Sequence, residues 1–239
     1  GIVIGIMSVI LVLSIGQAAQ QYIINQVSSF GSDVLTVSNG PREPPQEETP
    51  SLFVKQSLTI KDYDAIKAES WVRLATAMIA QDDTVISNGV ERSAQIVGTT
   101  PDEVELYDLT LAQGAFFTAD DVSARALVTV LGADIARTTF GQENPLGKTV
   151  RIGTRNARVV GVMSVLGTKS FQNLDKRVYL PVTAMADITN QKYVNSLSVR
   201  SDLPLREATR RVEDLLRDRH DIQKVSDDFG RRQTFNTAI

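Results

Sequence analysis

Cysteine is missing from all 239 residues, and histidine occurs once, as His220. The first absence removes a thiol nucleophile, a cysteine zinc site and any disulfide framework. It leaves the redox compartment open, because reducing and oxidising environments both tolerate a chain without thiols. The second excludes a multi-histidine metal centre, and any Ser–His pair would have to use His220. Its context, Arg217-Asp218-Arg219-His220-Asp221, is the charged end of a helical pattern, where a polar or cationic side chain suits the exposed helix carbonyls. A surplus of positive charge is also lacking: 25 Lys and Arg against 28 Asp and Glu give a net charge of −3, which offers no basic footprint for nucleic acid. There is no GxSxG, HExxH or GxGxxG pattern. What remains is ordinary globular composition, 42% hydrophobic and 22% charged, in a chain long enough for one large or two modest domains.

Charge is absent from one region in particular: no Asp, Glu, Lys or Arg precedes Asp33. Gly1 to Gly16 is almost wholly apolar and as a helix spans about 24 Å, slightly short of a hydrocarbon core of about 30 Å. The expectation is the end of a transmembrane helix, completed by turns upstream, with Gly1, Gly5, Ser8 and Gly16 allowing close helix approach. A signal-peptide apolar region, with Ser14 and Gly16 as small cleavage-site residues, and a buried core helix are the alternatives. Ala19, Tyr22, Ile23, Val27 and Phe30 keep helical spacing, so the helix is expected to continue out of the membrane.

Asp33 to Val37 reads as a strand, followed by an acidic, proline-rich loop from Gly40 to Pro50 that is expected to be exposed and mobile. Thr59-Ile-Lys-Asp62 is a helix start signal, with Ile60, Tyr63 and Ile66 on the buried side of a helix to about Glu69. Val72 to Ala80 is the next strand, and Thr84 to Thr99 reads as a hairpin turning at Asn88-Gly89. The strand–helix–strand order returns as Asn195 to Arg200, a helix from about Leu203 to Arg219, and Asp221 to Asp227. In that helix Leu205, Ala208, Val212, Leu215 and Leu216 are apolar, and the mixed charges lie on a solvated face. Between the halves lie an Ala126 to Leu131 strand, an Ala133 to Phe140 helix, a hairpin of Thr149 to Ile152 with Arg158 to Met163, and an Arg177 to Leu180 strand. The predicted class is α+β: an N-terminal membrane helix (1–32), then a split strand–helix–strand unit (33–95 and 193–239) around an inserted, mostly β subdomain (96–192).

Gly141-Gln-Glu-Asn-Pro-Leu-Gly147-Lys148-Thr149 approaches a phosphate-binding loop but places five residues between its glycines where the motif needs four. A helix precedes it and an alternating strand follows, the reverse of the required context, so Pro145 and Gly147 read as turn residues. The acidic pairs Glu47-Glu48, Asp82-Asp83, Asp120-Asp121 and Asp227-Asp228 have no known separation in space and support neither glycoside hydrolysis nor a metal site.

Five blocks in order resemble the MacB-type ABC transporter permeases. They are Gly1-Ile-Val-Ile-Gly-Ile-Met-Ser-Val-Ile with Gly16-Gln-Ala-Ala-Gln20; Val130-Leu-Gly-Ala-Asp-Ile-Ala136; Phe140-Gly-Gln-Glu-Asn-Pro-Leu-Gly-Lys148; Val159-Val-Gly-Val162; and Val178-Tyr-Leu-Pro181. The resemblance implies the extracytoplasmic core domain of a bacterial inner-membrane permease, with a porter-like subdomain and an inserted β-rich one. It further implies a fused or separate ATPase, a permease homodimer or heterodimer, an extracytoplasmic adaptor and the lipid bilayer as partners, with the soluble domain outside the cytoplasm. On that reading the chain is not itself an enzyme: no catalytic, cofactor or metal site is expected in it, and no cofactor. A membrane-anchored extracytoplasmic binding or sensor domain is the alternative, and a secreted hydrolase a third.

Overall fold

The computed structural model describes residues 34–39, 57–87, 89–169, 172–220 and 230–233, and for 230–233 the backbone alone. The expected membrane helix, the acidic loop and the Asp221 to Asp227 strand lie outside these residues. Among the described residues no helix is long and apolar enough to cross a membrane.

In chain order the elements are β1 (Val34–Ser38), α1 (Ile60–Lys67), β2 (Val72–Ser87), β3 (Val90–Thr99), α2 (Glu103–Leu106), β4 (Leu111–Gly114), α3 (Ala119–Ser123), β5 (Val128–Leu131), α4 (Ala133–Phe140), β6 (Thr149–Ile152) and β7 (Arg155–Met163). There follow a small hairpin of β8 (Thr168–Lys169) and β9 (Gln172–Asn173), then β10 (Arg177–Pro181), α5 (Val182–Thr189), β11 (Ser196–Ser201), α6 (Leu205–His220) and β12 (Gly230–Gln233). The result is a sheet-rich mixed α/β fold.

At one end the strand order is β12-β1-β11-β2, antiparallel throughout. Helix α1 connects β1 to β2 and α6 connects β11 to β12, so two strand–helix–strand units interleave their strands. Alternation sorts the residues of these strands. Leu35, Val37, Ala75, Ala77, Leu197 and Val199 join Ile66 of α1 and Ala208, Val212 and Leu216 of α6 in one core. Each fully buried Val or Leu there contributes about 1.5–3 kcal/mol. The charged face of α6 carries ion pairs one turn apart, Glu207 with Arg211 at 2.8 Å and Glu213 with Arg217 at 3.6 Å. The N-terminal end of β1 and the C-terminal end of β12 lie at the same end of the sheet, since Leu35 faces Gln233.

Strand β2 is one continuous element of 16 residues, about 50 Å long. The break expected between Ala80 and Thr84 is absent, because Gln81, Asp82 and Asp83 stay in register opposite Ile96, Gln95 and Ala94 of β3. Asp82 points to solvent, so the pair Asp82-Asp83 is strand surface, not loop. The hairpin does turn between Ser87 and Val90, which face each other, with Gly89 at φ +77.

Beyond Ile79 the sheet closes on itself. Strand β2 pairs β3, β3 pairs β10, β10 pairs β5, β5 pairs β7, β7 pairs β6, and β6 returns to β2 through Val85↔Ile152. This ring is a small barrel, filled by Val85, Ala94, Ile96, Val150, Ile152, Ala157 and Val159. Helix α5 packs against its wall at Gly98, where an added Cβ would stand 2.2 Å from the Met185 Cβ. Part of the outer wall, Val97, Val130 and Tyr179, is covered by Leu109, Phe117 and the segment around them. That cover, with α2, β4, α3 and α5, has no counterpart in the sequence-based reading, and β7 begins at Arg155, three residues earlier than expected.

Candidate functional site: the joint between sheet and barrel

The phosphate-loop lookalike is structural. Gly141 ends α4 at φ +62, Lys148 pairs with Glu143 and stands 5.5 Å over the Phe140 ring, and β6 follows. An open groove of about 540 Å³ runs beside it, lined by Gln113, Arg137, Gln142 and Asn144 among others, but Arg137 is already paired with Asp134. Asp121 is committed to capping α3, where its carboxylate accepts the Thr118 amide at 2.8 Å and the Thr118 hydroxyl at 2.9 Å. Glu47-Glu48 and Asp227-Asp228 lie outside the described residues. Among the described residues no cluster of His, Asp and Glu could hold a metal ion.

His220 is not the solvated helix end that its sequence context suggests. Its Nε2 lies 3.0 Å from Asp62 Oδ2, and Arg219 Nε donates to Asp62 Oδ1 at 2.8 Å. The capping box read from Thr59 and Asp62 is present, with the Thr59 amide and hydroxyl both donating to Asp62 Oδ2 at 2.8 Å. Asp62, 2% exposed, therefore ties the first turn of α1 to the last turn of α6. Burial alone would raise its pKa, but the Arg219 and Thr59 hydrogen bonds and the field of His220 outweigh it and hold the carboxyl below its ordinary value.

A second buried carboxyl sits where the molecule changes architecture. From Val72 to Met78 β2 pairs β11, and from Ile79 onward it pairs β3. The departure of β3 leaves one edge of β2 open near Ala75, and the turn after β3 fills it. The Ala75 amide donates to Asp102 Oδ2 at 3.2 Å, the Thr100 hydroxyl donates to the Ala75 carbonyl at 3.4 Å, and Lys67 pairs with Asp102. Next to them Glu103, 3% exposed, accepts the Thr99 hydroxyl at 3.0 Å, and the Thr76 hydroxyl of β2 bonds it too.

The same turn lies on the sheet face opposite α1 and α6, where Thr36, Thr76, Ser196 and Ser198 stand beside Val34 and Leu74, and these two pack with Leu106 of α2 in a small apolar cluster. Tyr107 donates to Ser198 Oγ at 2.9 Å, and Arg200 donates to the Leu106 carbonyl at 2.9 Å. The sheet and barrel are thus joined by one shared strand, by an apolar core that runs from one into the other, and on the opposite face by this turn, whose polar contacts surround Leu106. Such polar contacts suit surfaces that part and rejoin. The sequence concealed this: nothing in Pro101-Asp-Glu-Val-Glu-Leu106 marks burial, and it is the partner switch of β2 that buries Glu103.

The fold is that of the outer domains of transporter permeases. It matches the crystal structure of the periplasmic region of MacB from Actinobacillus actinomycetemcomitans at a TM-score of 0.73 and 24% identity, over 87% of this chain and 92% of that one. It also matches the extracellular domain of the noncanonic ABC-type transporter YknZ from Gram-positive bacteria, at a TM-score of 0.66 and 19% identity, over 82% of this chain and 99% of that one. In sequence the chain is 31% identical to the macrolide export ATP-binding/permease protein MacB of Shigella dysenteriae over 84% of its length, and 29% identical to that of Bdellovibrio bacteriovorus over 100%. It spans 30% and 37% of those relatives, about a third of their length. The model of the MacB-like periplasmic core domain matches residues 1–219, and the chain belongs to that family.

Proposed function

We propose that the chain is the extracytoplasmic domain of an ABC-type permease in a bacterial inner membrane, and that it couples ATP hydrolysis elsewhere to export or mechanical work across the cell envelope. The sheet of β12, β1, β11 and the first half of β2 acts as the porter-like subdomain and the barrel as the β-rich insert, so the first boundary falls near Ile79 and not at 95/96. Residues 1–32 end a transmembrane helix and lead out of it. The ATPase is a separate domain or subunit. The permease pairs with a second permease, and an outer adaptor completes the assembly.

One observation carries this reading beyond family membership. The N-terminal end of β1, the C-terminal end of β12 and the start of β2 lie at one end of the sheet, and β2 runs from there into the barrel at the other. A displacement of the membrane-side end is therefore delivered to the barrel along one continuous strand. Such coupling requires two arrangements with different contacts, and the polar joint is where these differ.

The coding region on either side of the chain tests the proposal. Further hydrophobic spans downstream, with a true Walker A ATPase fused or adjacent, are expected. A stop soon after Ile239, with no ATPase nearby, would leave an anchored binding or sensor domain.

A further inference from the structure

We propose that Glu103 is a proton-held joint: with its carboxyl neutral, the Thr99–Tyr107 turn stays docked on the four-stranded sheet, and loss of the proton to water loosens the turn without unfolding the domain. This is a property of the fold and stands whether or not the domain serves in export. The geometry behind it is a carboxyl withdrawn from water, bonded only by hydroxyls, with no Lys or Arg within ion-pair distance among the described residues. Removing water from a carboxylate without a paired cation is costly, and the neutral acid is favoured instead. Burial accordingly raises the pKa of Glu103, and the hydroxyls and the more distant Arg177 offset this only in part.

The surrounding charges are already engaged. Arg177 of β10 donates to Gln95 at 2.7 Å and to Gln172. Arg200 of β11 donates to the carbonyls of Glu105 and Leu106, and Lys67 of α1 pairs with Asp102. Burial pushes Tyr63 of α1, Tyr107 beside Glu103 and Tyr179 of β10 up to about 12, so they stay neutral. Once ionised, Glu103 is most readily hydrated by lifting the four-residue α2, which costs fewer contacts than parting β2 from its neighbours.

The absence of native cysteine makes the test clean. Ser198, 5% exposed under Tyr107, is replaced in the 239-residue chain by Ser198→Cys, and alkylation of the lone thiol is followed in detergent, normalised at each pH to the urea-unfolded chain. The expected result is a normalised rate that rises between about pH 5 and pH 9, because loss of the Glu103 proton favours the open turn. An Ala77→Cys variant, on the helix-covered face and 0% exposed, reports global opening and stays far slower than the Ser198→Cys chain at every pH. In Ser198→Cys combined with Glu103→Gln the pH dependence disappears. A flat profile in the Ser198→Cys chain overturns the proposal without recourse to the Gln variant. Equal normalised rates in the Ser198→Cys and Ala77→Cys chains, which would mean that Ser198 is reached only by global unfolding, or an unchanged rise in the Glu103→Gln background, overturns it as well.

Discussion

Asp62 and Glu103 are withdrawn from water almost equally, at 2% and 3% exposed, yet they hold their contacts in opposite ways. Asp62 faces two cationic-type side chains, Arg219 and His220, and two donors of Thr59, so its anion is favoured. Glu103 meets only the hydroxyls of Thr99 and Thr76, so its neutral acid is favoured. Burial does not set the charge of a carboxyl; the donors met on the way in do. The consequence is a division of labour. The α1–α6 layer is clasped by an ionised group across the ordinary pH range, whereas the joint between sheet and barrel depends on a proton.

The largest effect is expected from Asp62→Ala, which leaves Arg219, His220 and the Thr59 amide without their shared acceptor. The loss of stability, read from the urea midpoint near neutral pH, is expected to be on the order of 3 kcal/mol. Because the folded pKa of Asp62 lies below its unfolded value near 3.8, this contribution is present above that value and fades as pH falls through the folded one. Asp62→Asn is expected to flatten that acid limb.

Glu103→Gln works in the opposite sense. A raised folded pKa gives a contribution fully present below the unfolded value near 4.5 and lost as pH rises through the folded one. The Gln variant is therefore expected to match the parent in acid and to exceed it increasingly toward alkaline pH, seen as diverging urea midpoints. A constant offset across pH would remove the contrast with Asp62.

Smaller effects sharpen the picture. Tyr107→Phe removes one hydrogen bond from the joint and is expected to cost about 1 kcal/mol in thermal unfolding, with faster amide exchange over 103–107. Asp187→Asn breaks an exposed pair with Arg125 and is expected to change stability by less than about 0.5 kcal/mol.

Much of the clasped layer is legible in sequence, because its signals are local. Thr59-x-x-Asp62 marks the cap, the α6 apolar residues recur at helical spacing, and residues 88–89 turn the long hairpin. The partner of Asp62 is not legible, since Arg219 lies 157 residues away and its own neighbours suggest solvent. The joint is hidden for the same reason. Gln81-Asp82-Asp83 resembles a strand break until β3 pairs it, and ring closure rests on two residue pairs between β2 and β6. Neither Asp102 nor Glu103 differs in local pattern from a solvated acid; the open edge of β2, a product of topology, is what draws them in.

The most direct test is to follow both carboxyls by carbon NMR in the selectively labelled chain while pH is varied. Glu103 titrating above 4.5 and Asp62 below 3.8 is the expected result. Both titrating at their ordinary values, or in the reverse order, would contradict the assignment of one proton-held and one charge-held contact.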